Sequence, residues 1–203
     1  MNLLRRFRQD DSGGPAAEFA LVLPLALIFL FGIIDVGRYM WEVNRAEKAT
    51  QTGTRWAVAT DIIASGLVDY SFAVDGGILQ GEPILETAFP GVECNSAGCA
   101  CAAGGTCDFD ATGTNTGAFD DLVLRMSQIK ADIAADNVTV NYGFSGLGYA
   151  GDPNGPDVAP IVTVVVRDLP FTPMIGALLG ISIDIPDLSY SLTMEDGAGN
   201  FSN

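Results

Sequence analysis

The chain has no histidine. That absence removes Ser-His and Cys-His pairs, imidazole metal ligands and the side chain whose charge ordinarily changes near neutral pH. Basic residues are also scarce: 10 Lys and Arg stand against 25 Asp and Glu, for a formal net charge of −15 over 203 residues. Phosphate recognition needs clustered Lys and Arg, so nucleic acid is excluded as a partner. Charged residues of either sign make up only 17 % of the chain, against 48 % hydrophobic residues. The carboxylates that remain form no catalytic pattern. Asp120 and Asp121 read as the polar start of a helix, so the reading is not an enzyme, with no cofactor and no metal-ligand set. Cysteine is confined to one short stretch, CNSAGCACAAGGTC. Long apolar runs are missing too, with one exception.

That exception is FALVLPLALIFLFGII, Phe19–Ile34, which carries no charge. As a helix it is about 24 Å long, and about 36 Å with its flanks from Gly14 to Gly37. A hydrocarbon core is about 30 Å thick, so the segment spans it if Glu18 and Asp35 lie near the two interfaces. Tyr39 and Trp41 fall where an aromatic belt belongs. Arg5, Arg6 and Arg8 precede the run and an acidic region follows it, which places the N-terminus in the cytoplasm and exports the remainder. A cleaved secretory signal fits poorly. The run exceeds the usual h-region and ends in GIIDVGRYMW, without an A-x-A-like site. Pro24 inside the run predicts a kink, which membrane helices tolerate.

Glu18 is the puzzle of this segment. An acid at the front of a membrane helix asks for a cation, and the apolar run holds no Lys or Arg. A cut between Gly13 and Gly14 would create one, the new α-amine, one helical turn from Glu18 and on the same face. The same pair could form between neighbouring subunits.

A basic leader, a glycine, then a fifth-position glutamate followed by an aromatic residue and an apolar helix resembles the type IV prepilins. More narrowly, GGPAAEFALVLPLALIFLFGIIDVGRYMW resembles the TadE-like pseudopilins of the tight-adherence (Flp) pilus. The residues that carry the likeness are Gly13, Glu18, Phe19, Ala20, Leu21, Val22, Leu23 and Pro24, then Gly37, Arg38 and Trp41. The resemblance covers roughly residues 8–60. It implies cleavage by a prepilin peptidase after Gly13, with Gly14, Glu18 and Phe19 serving processing and assembly. Gly14 and Pro15 as the first two mature residues depart from the commoner small or apolar pair. The implied partners are that peptidase, other pilin and pseudopilin subunits, the pilus assembly platform and inner-membrane lipid. The implied place is the inner membrane, single-pass, with the C-terminal domain periplasmic or carried into the extracellular pilus. An uncleaved, membrane-anchored extracytoplasmic binding module is the alternative.

The expected organisation is a leader over 1–13, a transmembrane helix over 14–37, an amphipathic stalk over 38–65 and an exported domain over 66–203. Val36, Met40, Val43, Ala46, Thr50, Gly53 and Ala57 recur at helical spacing, so one helix is expected from about Pro15 to Thr60. Asp35 with Arg38 and Arg38 with Glu42 are helix-neighbour pairs. From Gly66 to Thr116 the Gly, Pro, Asp and Thr content predicts loops and one hairpin. Cys94, Cys99, Cys101 and Cys107 lie there, in a Cys-rich loop over 92–112. Four thiolates on zinc is one reading. Export favours two disulfides, in any of three connectivities, stapling a loop with little core of its own.

Asp108, Asp110, Thr112 and Gly113 imitate the start of a calcium loop, but Phe119 stands where the bidentate glutamate belongs, so a solvated acidic loop is the better reading. Asp187, Ser189 and Ser191 spell a metal-adhesion motif within a run that alternates like a strand. Phe119, Leu122, Val123, Met126, Ile129 and Ile133 predict an amphipathic helix over 118–135. NVTVNYGF, IVTVVVRD and ISIDIPDLSYSLTM predict three strands, and PMIGALLG between the last two is apolar enough to touch a membrane or a partner. The fold class expected is α/β and pilin-like: a long N-terminal helix packed on a small, mainly antiparallel sheet with one further helix.

Overall fold

The computed structural model describes residues 14–68, 70–153 and 156–194. One helix, α1, runs without a break over Gly14–Ala57 with Pro24 inside it. Two further helices follow, α2 (Thr116–Ser127) and α3 (Met174–Leu179). The strands are β1 (Val92–Asn95), β2 (Gly98–Cys101), β3 (Val138–Gly143), β4 (Ile161–Val166), β5 (Leu169–Phe171), β6 (Ile183–Ile185) and β7 (Leu188–Thr193). Five of them form an antiparallel sheet in the order β2-β1-β3-β4-β7, and β5 and β6 form a separate pair. The expected fold class is therefore observed: a long apolar helix, an antiparallel sheet and a further helix.

The chain divides into two compact units. The first comprises α1 up to Glu42 together with Phe171–Ile183, and the second comprises Val43–Pro170 with the C-terminal segment from Asp184.

In the second unit the sheet follows from alternation. Val138, Val140 and Tyr142 of β3 are buried while their neighbours are not. The valines of β4 pair with β3 on one side and β7 on the other, which makes β4 an interior strand and accounts for its β-branched run. The last part of α1 lies over this sheet through small residues. Ala46, Ala49, Thr50, Gly53, Thr54 and Ala57 form a buried stripe. Thr50 and Thr54 hydroxyls donate to the carbonyls of Ala46 and Thr50, and Thr54 also donates to the Tyr190 carbonyl at 3.2 Å. These bonds let two threonines sit in the core without an orphaned hydroxyl. Gly53 makes room for α2: a Cβ there would lie 2.6 Å from the Met126 sulfur.

Three expectations need correction. The helical stripe does not begin at Val36 and Met40, which are exposed; burial starts at Ala46. α2 ends at Ser127 rather than near Ala135. The Ile129 carbonyl accepts from the Arg45 guanidinium at 2.7 and 3.1 Å, and the Ile133 amide turns to Lys130 instead of continuing the helical ladder. Finally, residues 66–116 do have a core. Tyr70, Phe72, Phe89 and Phe109 pack ring to ring at centroid distances of 4.9 to 6.5 Å. These aromatics follow no period, so nothing in the sequence pattern announces the cluster.

Candidate functional site

Within the described part of α1, Glu18 lies about one turn after Gly14, exposed, with exposed Phe19 beside it. Gly13 and the leader over 1–13 lie outside the described residues. From Phe19 to Ile34 the large apolar side chains face outward: Leu21, Leu25 and Phe29 are all at least 70 % exposed. A helix that is apolar all round and uncovered needs a nonaqueous surrounding, and this one is long and apolar enough to cross a membrane.

The apolar stretch ends on a built structure. Asp35 is the first charged residue after the run, yet it is only 9 % exposed. Both its carboxylate oxygens accept from the Met174 backbone N–H, at 2.8 and 2.9 Å, and Oδ1 also accepts from Arg38 at 2.9 Å. The Arg38 guanidinium lies 5.4 Å from the centre of the Phe171 ring, and Tyr39 meets the same ring edge-on at 5.3 Å. The expected Asp35–Arg38 neighbour pair is thus one part of a larger clasp. Its long-range half, Asp35 to Met174, spans 139 positions and leaves no local trace in the sequence.

Three of the four cysteines, Cys94, Cys99 and Cys101, sit on a hairpin, and Cys107 lies in the loop that follows it. Cys94 of β1 and Cys99 of β2 are register partners and are joined by a disulfide, with Cα atoms 4.0 Å apart. Cys101 is joined to Cys107 across 5.9 Å. β1 pairs in turn with β3, so the cassette is the edge of the main sheet. Directly opposed residues on adjacent strands can be bridged; sequence spacing does not identify them.

The calcium-like stretch is a turn. Asp110 Oδ1 accepts from the Thr112 amide at 3.0 Å and from its hydroxyl at 2.6 Å, and these bonds hold the carboxyl below the usual carboxylate range. Phe119, at the position a calcium loop would give to glutamate, is buried in the core. Asp187 faces Arg167 at 3.5 Å, and the Ser191 hydroxyl pairs with Thr163 across the β4–β7 ladder at 2.8 Å. Among the described residues no group of three or more Cys, Asp or Glu is placed to hold a metal ion.

In AGDPNGPD, a stretch with the same calcium-like look that reads better as turn chemistry, Asp157 is a buried acid of the second unit. Asp157 accepts from the Phe72 amide at 2.7 Å and from the Asp152 amide at 2.9 Å, tying two loops together. Its position in a Gly-Pro-Asp turn suggests only turn chemistry.

Residues 13–55 match the model of a family described as TadE-like protein. No curated protein and no solved structure is similar enough to the chain to match it. The matched segment begins at Gly13 and ends two residues before the last residue of α1. It therefore takes in Glu18, the apolar run, the Asp35–Arg38 pair and most of the small-residue stripe. Over residues 13–55 the chain is therefore similar to the TadE-like family.

Proposed function

We infer that the protein is a minor pseudopilin that takes part in assembly of a tight-adherence (Flp) type IV pilus after a prepilin peptidase cuts behind Gly13. The observation that carries this reading is the family match itself, which starts at Gly13, five residues before the lone acid Glu18 at the front of the uncharged run. Cleavage would expose an α-amine four residues before Glu18. That amine and the Glu18 carboxylate carry opposite charges at neutral pH, and in lipid their attraction is strong because the dielectric is low. A subunit in the bilayer would offer its carboxylate to a neighbour's amine, which sets the axial register of the two helices. The leader's arginines stay cytoplasmic, and the second unit is exported. The implied partners are the peptidase, other pilin and pseudopilin subunits, the assembly platform and inner-membrane lipid.

Intact mass and N-terminal peptide analysis of the membrane-extracted protein, with and without the cognate peptidase, tests the reading. The expected mature chain begins at Gly14 and is lost in Gly13→Ala. Glu18→Ala is expected to be cut normally and to be absent from assembled pili. A chain that keeps residues 1–13 in the presence of the peptidase would overturn the pseudopilin reading in favour of an uncleaved, membrane-anchored binding module.

A further inference from the structure

The segment from Leu169 to Ile183 carries no charge. It leaves through β5, makes the single short helix α3 and returns through β6. Pro173 precedes the helix, and Gly180 ends it in the left-handed conformation at φ 69°. The Ala177 amide donates to Pro173 and the Ile181 amide to Gly176, so the turn is closed by its own backbone. Leu169 and Phe171 are buried, but three other apolar side chains are not closed in. Met174, Ile181 and Ile183 are each close to half exposed. Exposed apolar groups on a segment without charge call for an apolar neighbour.

Its attachment identifies that neighbour. Phe171–Ile183 forms one compact unit with the membrane-grade part of α1, and the link is the clasp of Met174 N–H on Asp35, supported by Arg38 and Tyr39 on Phe171. Asp35 follows directly on the uncharged run, so it marks the level at which α1 leaves the hydrocarbon. A carboxylate at that level is costly unless it is paired, and the hairpin amide and Arg38 both serve it. Arg38 itself is 44 % exposed, held between Asp35 and the Phe171 ring, where its guanidinium can reach a lipid phosphate.

We propose that Phe171–Ile183 is a membrane-interface hairpin, clasped to α1 by Asp35, whose Met174, Ile181 and Ile183 side chains enter the lipid surface beside the helix. The occupant of the exposed face is lipid, because the segment is fastened to α1 at Asp35, the residue on which the uncharged apolar run ends. The proposal rests on the reading that α1 spans a membrane.

The test is photocrosslinking of the full chain in vesicles of phosphatidylethanolamine with phosphatidylglycerol. A benzophenone amino acid is placed at the position of Ile181 and, as a membrane reference, at that of Ile28, and adducts are read by intact mass. Lipid adducts are expected at both positions. In Asp35→Ala the Ile181 adduct is expected to fall severalfold while the Ile28 adduct stays unchanged. Lipid on Ile28 with none on Ile181 would overturn the hairpin proposal, as would a crosslinked dimer at Ile181, which would make a second copy the occupant. Undiminished labelling of Ile181 in Asp35→Ala would overturn the clasp. An unlabelled Ile28 would instead overturn the membrane reading of α1 and with it the basis of the proposal.

Discussion

Tyr142 shows how much can hang on one polar atom. It is among the largest fully buried side chains, and its phenol oxygen accepts from the Ile63 amide at 3.0 Å. Tyr142→Phe leaves that amide buried without a partner, so a loss of about 1–3 kcal/mol is expected in urea unfolding of the solubilised protein. Burial also pushes the phenol well above its ordinary value. A group whose folded pKa is raised contributes its stability below the unfolded pKa, which for tyrosine is about 10. Stability should therefore fall as pH rises beyond about 10, and Tyr142→Phe should flatten that alkaline slope. Gly66 is decided by space. A Cβ there would run into the Asp110 backbone carbonyl, which no rotamer change can move aside. Gly66→Ala is expected to lower stability by about 1–3 kcal/mol, whereas Gly53→Ala meets only side chains, Met126 and Leu122, which can shift in part, and gains helix propensity, so its loss is expected to be smaller. The midpoints of the two variants in one denaturant series check the contrast.

At the scale of elements, the disulfide hairpin and α1 behave differently. Cys94–Cys99 and Cys101–Cys107 close loops with separations of only 5 and 6. Chain entropy then assigns about 2 kcal/mol to each. Replacing both cysteines of either pair by alanine should cost near that amount and leave the protein folded, as read by near-UV circular dichroism and urea midpoint. Retention of the fold is expected because β1 is held by β3 as well as by β2. α1 was legible in advance because helical spacing and an uncharged run are local signals. The strand pattern of β3 was equally plain, with Val138, Val140 and Tyr142 all on the buried face. The end of α2 was not legible: it depends on Arg45, 84 positions away, taking the Ile129 carbonyl. The aromatic core of residues 66–116 was hidden for the same reason, since its rings meet only after distant turns close.

For the whole molecule, charge and apolar surface are divided along the chain. The net charge of −15 belongs mostly to the region after the apolar helix, while Phe19–Ile34 is bare of charge and outward-facing. The full chain is therefore expected to stay in the membrane pellet through alkaline carbonate and high-salt washes and to be released by detergent. Release by carbonate alone would show that α1 does not span. The sequence alone determined the candidate spanning segment, the α/β class and the TadE-like pattern around Gly13, Glu18 and Phe19. All of these rest on period, composition and nearest-neighbour order, which the chain displays before it folds. Only the tertiary structure decided which cysteines join, where the stalk becomes buried, and that Asp35 holds the backbone of Met174. Those outcomes depend on which distant groups come within a few ångströms of each other, and contact at that range is set by packing rather than by any local pattern.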